Sequence, residues 1–247
     1  MTRLSLPRRS LALAENQISG NLQPMKKTMI IDSPLLFPTQ APSIQNDGPD
    51  FAIEKHFLDQ GLKSVAGVDE VGRGPLAGPV VAASVILDLS NIPAGLNDSK
   101  KLTEAKREKL FDEIVETAIV SVSCIPENII DQINIRQASL LAMRNSCHGL
   151  SIIPDMLLVD GNDCPSGLVC NAQSFIKGDG RCMSIAAASI VAKVIRDRQM
   201  TYASTIYPEY EFEKHKGYGT RVHLDAIGKF GPCPLHRLSF SPMNRLI

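Results

Sequence analysis

Four carboxylates stand where runs of β-forming residues give out: Asp69 and Glu70, Asp160, and Asp179. A lone carboxylate at a strand end is most often a turn former, because its side chain bonds nearby backbone. Three such ends carry a different implication. Sites in α/β folds gather at strand ends, and clustered carboxylates repel one another unless cations occupy them. Hard divalent cations take this oxygen-only ligand set, and Mg²⁺ keeps several waters while using one or two carboxylates. Two such ions about 3.5–4 Å apart can activate a water and stabilise the leaving oxygen in phosphodiester cleavage. Spacing alone does not make the three strands neighbours. Asp69 and Glu70 are consecutive, so a regular strand turns them to opposite faces. Both reach one site only if the strand ends or bulges there, which Gly72 and Gly74 permit.

The loop Gly72-x-Gly74-x-x-Ala77 matches a dinucleotide fingerprint by letter. That motif requires an amphipathic helix next, whereas Pro79–Leu87 is a strand-like apolar run. No Gly-Lys-Ser or Gly-Lys-Thr occurs, so a Walker-type phosphate loop is excluded as well. The chain has 26 Lys+Arg against 26 Asp+Glu, so any polyanion must be met by a local basic face. Two local clusters qualify. Lys100-Lys101 follows Asn97-Asp98-Ser99 before a helix N-terminus, where backbone amides also favour anions. Between Lys214 and Ile247, basic residues outnumber the single Asp225, and His215-Lys216-Gly217-Tyr218 sets an aromatic among cations. Each run alone reads equally well as a solvated face. Beside a carboxylate cluster, they fit nucleic-acid hydrolysis better. The six cysteines include no C-x-x-C pair and the histidines no H-x3-H spacing, which argues against a zinc module.

The elements that must position these residues follow from punctuation. Val65–Val71 reads as a strand, broken at Gly72-Arg73-Gly74-Pro75, and the β-branched Val80–Leu87 follows. Thr103 begins a helix with Leu102, Leu110, Ile114 and Ala118 on one face. Ala118–Ile125 is a third strand, Pro126 opens a short helix, and Ile135–His148 is a helix capped by Asn134. Met156–Val159 and a weaker Ser174–Ile176 are further strands. Ser184–Ala203 and Val222–Phe230 are helices. The order argues an α/β fold with a helical C-terminal part.

Residues 1 to 50 hold 6 of the 16 prolines and no sustained periodicity, so an unstructured extension is expected. The division expected is residues 1–60 as that extension and 61–247 as the catalytic domain, its helical part from about 205 to 247. No stretch approaches a membrane span and no secretory signal is visible, so a cytoplasmic protein is expected.

The residues Ala66-Gly67-Val68-Asp69-Glu70-Val71-Gly72-Arg73-Gly74-Pro75 and Asn97-Asp98-Ser99-Lys100-Lys101-Leu102 resemble bacterial ribonuclease HII. So do Val159–Asn162, Lys177-Gly178-Asp179, Ala187–Lys193 and His215-Lys216-Gly217-Tyr218, collinear from about Val65 to Met243. The resemblance implies a ribonuclease H-like fold: a five-stranded mixed β-sheet flanked by helices, with a helical C-terminal extension. It implies cleavage of RNA in RNA–DNA hybrids and at single ribonucleotides in duplex DNA, leaving 3′-hydroxyl and 5′-phosphate ends. A monomer is expected. The metal ligands for Mg²⁺ or Mn²⁺ would be Asp69, Glu70, Asp160 and Asp179. Gly72, Arg73 and Gly74 would sense the ribose 2′-hydroxyl, Tyr218 would stack beside the RNA–DNA junction, and Ser99, Lys100 and Lys101 would complete the substrate contacts. Asp197 lies mid-helix and reads as structural. A non-catalytic module that has kept the fold is disfavoured because none of the four acids is lost. Ribonuclease HIII is disfavoured because Arg73 is present and the N-terminal region is proline-rich.

Overall fold

The computed structural model describes residues 48–243. The chain runs α1 (Ala52–Asp59), β1 (Val65–Val71), β2 (Val80–Ile86), α2 (Glu104–Thr117), β3 (Ile119–Ile125), α3 (Glu127–Ile133) and α4 (Ile135–His148). It continues through β4 (Met156–Asp160), β5 (Asn171–Phe175), α5 (Met183–Ile206), α6 (Phe212–His215) and α7 (Arg221–Phe230). Single 3₁₀ turns occupy Ser99–Lys101, Gly178–Gly180 and Pro208–Tyr210. No described helix is long and apolar enough to cross a membrane.

The five strands form one mixed sheet in the order β3-β2-β1-β4-β5. β1 pairs antiparallel with β2 and parallel with β4, and β4 pairs parallel with β5. All seven residues of β2 are buried, because helices cover both faces of the sheet. Its Val81, Ala83 and Val85 pack against α2 and α5, while Val80, Ala82 and Ile86 pack against α3 and α4. The alternation is the two-residue period of a strand divided between two cores. α5 lies close to β1: a Cβ on Gly67 would come 2.2 Å from the Ser184 carbonyl carbon, so only hydrogen fits there. That close approach explains the run Ala186–Ala188 in the buried part of α5.

The cap expected at Asn134 forms, its Oδ1 accepting from Gln137 N at 3.1 Å. Thr103, expected as the first residue of a helix, instead caps α2, its Oγ1 accepting from Lys106 N at 3.3 Å. The fourth and fifth strands run further than expected. β5 spans Asn171–Phe175 rather than Ser174–Ile176, since its polar sequence is held at the sheet edge by main-chain pairing with β4. After Ile206, the remaining turns and α7 gather on the end of α5 around Met200, Tyr210 and Phe212.

The expected extension through residue 60 is corrected at its end. Ala52–Asp59 is helical, and its Ile53 and Phe57 pack with Val65, Met156, Phe175 and Ile185. Its buried Glu54 accepts hydrogen bonds from Ser184 N at 2.8 Å and Ser184 Oγ at 2.7 Å, capping the start of α5. Residues 1–47, where the rest of that expectation falls, lie outside the described residues.

Candidate active site

The acids come together because β1 and β4 are neighbours. Their pairing ends at Val68↔Val159, and the next residues of the two strands are Asp69 and Asp160. β5 delivers the chain to the turn Gly178–Gly180, where Asp179 sits and where Gly178 N donates to Asp160 Oδ1 at 2.7 Å. The expected strand end or bulge at Glu70 is absent. β1 stays in register with β2 through Val71↔Val81, so Asp69 and Glu70 do leave the strand on opposite faces. Asp69 faces α5 and Ser189, whereas Glu70 opens onto a cleft with Arg136, Ser139 and Asp160. The site therefore straddles the carboxyl ends of β1 and β4, with Asp160 acting on both faces of the sheet.

The electrostatics follow from this crowding. Burial pushes Asp69 well above the ordinary carboxylate range, and Glu70, Asp160 and Asp179 push it further; a Ser189 hydrogen bond works against them. Burial also raises Glu70, despite the Arg73 guanidinium, and Asp160 adds to the rise. Asp179 is raised by burial, then by Asp160 and Asp98, against the pull of Lys100. Two cations answer this charge directly. Arg73 Nη1 lies 3.1 Å from Glu70 Oε1, and Lys100 Nζ lies 3.7 Å from Asp179 Oδ2. Partial burial works to lower Lys100, but Asp179, Asp98, Asp69 and Asp160 outweigh it and raise its pKa. Two cations do not neutralise four carboxylates and Asp98.

A hard divalent cation fits this donor set. Every donor is a carboxylate oxygen, and the crowded acids lack enough positive charge. Among the described residues no three of them form a ready-made cage. That openness suits an ion that keeps water and completes its shell with phosphate oxygens.

The expected substrate residues divide into two kinds. Arg73, Gly74, Lys100, Lys101 and Tyr218 are exposed. Gly72 and Ser99 are buried. The Ser99 hydroxyl is turned inward, 2.9 Å from Ser189 Oγ, so it backs Asp69 rather than facing solvent. Gly72 has φ +94°, and a Cβ there would sit 2.7 Å from Pro79 O and 2.2 Å from Arg196 Nε. Only glycine meets both demands. Asp197, expected to be structural, is ion-paired: Lys193 Nζ is 2.7 Å away and Arg107 Nη2 3.9 Å.

Sequence reading missed three groups around the site. Ser189 was legible only as a polar residue in an apolar stretch of helix. Arg196 and Arg237 looked like ordinary basic residues, yet both are fully buried. His223 and His236 are also buried, and they form a relay to the tyrosine. Cys233 N donates to His236 Nδ1 at 2.9 Å, so His236 Nε2 carries the proton toward His223 Nε2 at 3.0 Å. His223 Nδ1–H is left to donate to Tyr218 O at 2.9 Å.

The comparisons with known proteins agree with this geometry. A family model for ribonuclease HII matches residues 66–243, which span the four acids, the glycine loop and Tyr218. The chain is 55% identical over 221 residues to the ribonuclease HII of Agrobacterium fabrum, covering 90% of this chain and 100% of that one. It is 52% identical over 191 residues to the ribonuclease HII of Caldicellulosiruptor bescii, covering 77% and 92%. Among solved structures, ribonuclease H2 from Pyrococcus horikoshii superposes with a TM-score of 0.65 at 27% identity, over 74% of this chain and 97% of that one. Bst-RNase HIII in complex with Mn²⁺ shares the fold, with a TM-score of 0.65 at 22% identity over 83% and 75%. The identities decide between the sister types that the sheet alone leaves together: the chain belongs to the ribonuclease HII family, with the ribonuclease H endonuclease activity of that family.

Proposed function

We propose that this enzyme cuts the RNA strand of RNA–DNA hybrids and single ribonucleotides embedded in duplex DNA, in the cytoplasm and as a monomer. The products are 3′-hydroxyl and 5′-phosphate ends. One observation carries this reading: the glycine loop lies between the acids and the exposed aromatic. Glu70 touches Arg73, and a Cβ on the neighbouring Gly74 would lie 3.7 Å from Tyr218 Cε1.

Each residue has a role in this reading. Asp69, Glu70, Asp160 and Asp179 would hold Mg²⁺ or Mn²⁺, two ions when substrate is bound. Such a cation would supply a water of lowered pKa and stabilisation of the leaving oxygen. Arg73 and Lys100, both exposed, bind phosphates flanking the scissile bond, and Lys101 extends the same cationic edge. Gly72 and Gly74 let backbone approach the 2′-hydroxyl, the group that separates RNA from DNA at a given site. The Tyr218 ring stacks on the nucleotide beside the junction. Ser99 and Ser189 hold Asp69 from behind.

Cleavage of a DNA duplex containing one ribonucleotide, with Mg²⁺, Mn²⁺ or EDTA, tests the proposal. A single cut at the ribonucleotide that EDTA abolishes is expected. Cleavage of all-DNA duplex at a similar rate, or cutting that survives EDTA, overturns it.

A further inference from the structure

Arg196 on α5 and Arg237 after α7 bury two guanidinium groups completely. A buried charge is costly unless every donor is satisfied. Here the acceptors are main-chain carbonyls, and they are confined to two segments. Arg237 donates from Nη2 to Gly72 O at 2.6 Å, from Nη1 to Arg73 O at 3.0 Å, and from Nε and Nη2 to Gly78 O at 3.0 and 2.6 Å. Arg196 donates to Pro79 O, Ala77 O and Lys216 O, each at 3.0 Å. The acceptors are thus the loop that joins β1 to β2 and the residue two before Tyr218.

Main-chain bonds complete the clamp. Leu76 N and Ala77 N donate to Gly217 O at 2.8 and 3.3 Å, Gly78 N donates to Leu235 O at 2.9 Å, and Arg237 N donates to Leu76 O at 2.8 Å. Gly217, with φ +85°, lies so close that a Cβ would sit 2.3 Å from Ala77 O. Neither arginine is exposed to substrate, and the loop they hold carries Gly72-Arg73-Gly74.

We propose that Arg237, with Arg196 behind it, is a positioning residue for ribonucleotide selection, fixing the Gly72-Arg73-Gly74 backbone and tying it to the Tyr218 segment. The inference rests on the reading above that this loop senses the 2′-hydroxyl. The planar fork of arginine is what the arrangement uses. Lysine keeps the charge but is a point donor on a flexible stem, and it does not span three carbonyls in fixed directions. A misplacement of about 1 Å in a positioned group costs about 100-fold in rate. Long hybrids present many 2′-hydroxyls in overlapping registers and tolerate a loosened reader better.

The test compares Arg237→Lys, Arg196→Lys and Arg73→Ala in the full chain. The readouts are kcat/KM on a single-ribonucleotide duplex and on a long RNA–DNA hybrid, melting temperature with and without Mn²⁺, and hydrogen exchange of residues 72–79. Arg237→Lys is expected to fold and to keep its Mn²⁺-induced rise in melting temperature. Amides 76–78 should exchange faster, and kcat/KM should fall about 100-fold on the single ribonucleotide but within about tenfold on the long hybrid. Parallel losses on both substrates, or unchanged exchange over 76–78, overturn the inference. If Arg237→Lys does not fold, Arg196→Lys removes the fork to Ala77 and Lys216 and faces the same criteria. An unchanged substrate preference in Arg73→Ala removes the loop reading, and the inference falls with it. A shifted preference in Arg73→Ala beside an unaffected Arg237→Lys overturns the positioning role alone.

Discussion

Tyr218 stands over Gly74: its Cε1 is 3.7 Å from the position a Gly74 Cβ would take, and the residue is 45% exposed. A packing tyrosine would be buried, as Tyr210 is. Removing the ring should therefore weaken cleavage at one embedded ribonucleotide more than within a long hybrid. Stacking contributes roughly 1–3 kcal/mol per base, which is about 5- to 150-fold in kcat/KM. Tyr218→Ala, assayed on both substrates with melting as a control, checks this. Equal losses on both would show a merely structural ring.

Asp160 is the acid that couples the groups on the two faces of the sheet, since it raises Asp69, Glu70 and Asp179 alike. Asp160→Asn should lower turnover by about three orders of magnitude, around 4 kcal/mol of barrier. Hybrid affinity should stay near wild type, because grip comes from Lys and Arg contacts with phosphates. The Mn²⁺-induced rise in melting temperature should shrink as ion binding weakens. Near-normal turnover in this variant would remove Asp160 from the ligand set.

The buried contact between Glu54 and Ser184 makes α1 part of the catalytic fold. A chain beginning at Gly48 should match the full chain in activity per molecule. Beginning at Ser64 instead removes Glu54, Ile53 and Phe57 and should cost at least about 3 kcal/mol, from one lost cap and two vacated core positions. Urea unfolding of both truncations measures the difference. Equal midpoints would show α1 to be dispensable.

The histidine relay sets a pH limit. Burial, with His215 and His236 nearby, lowers His223 to about 4, and burial lowers His236. A depressed histidine stabilises the fold fully above its unfolded value of about 6.5, and the contribution is lost as pH falls toward about 4. The change for His223 amounts to about 3 kcal/mol. The raised site carboxylates act in the opposite direction, gaining stability as pH falls. The informative quantity is thus wild type minus His223→Asn. That difference in unfolding free energy should shrink from pH 7 to pH 4; a constant difference would contradict the relay.

Residue types and local patterns singled out the four acids as a candidate cation site and nearly every element around them, while the roles expected of the glycine loop and the tyrosine came from the resemblance to ribonuclease HII. The local signals were β-branched runs ending in carboxylates, Asn134 as a cap, Thr103 as a helix start, and an apolar stripe before Ile114. Helix α1 was not legible because an eight-residue helix is marginal by itself and exists here through packing. The weak β5 was shifted because edge pairing, rather than apolar burial, holds it. The adjacency of β1 and β4 follows from a crossover through intervening elements, and no spacing in the chain announces it. The same holds for Asp69 and Glu70, which share a site without a bulge only because the β1–β4 pairing stops beside them. Arg237 reaches Gly72 across 165 residues of sequence. Local patterning determined which residue types are available for chemistry. Tertiary packing decided which groups face solvent and which are spent holding others, because burial and hydrogen-bond partners are properties of contacts between distant segments.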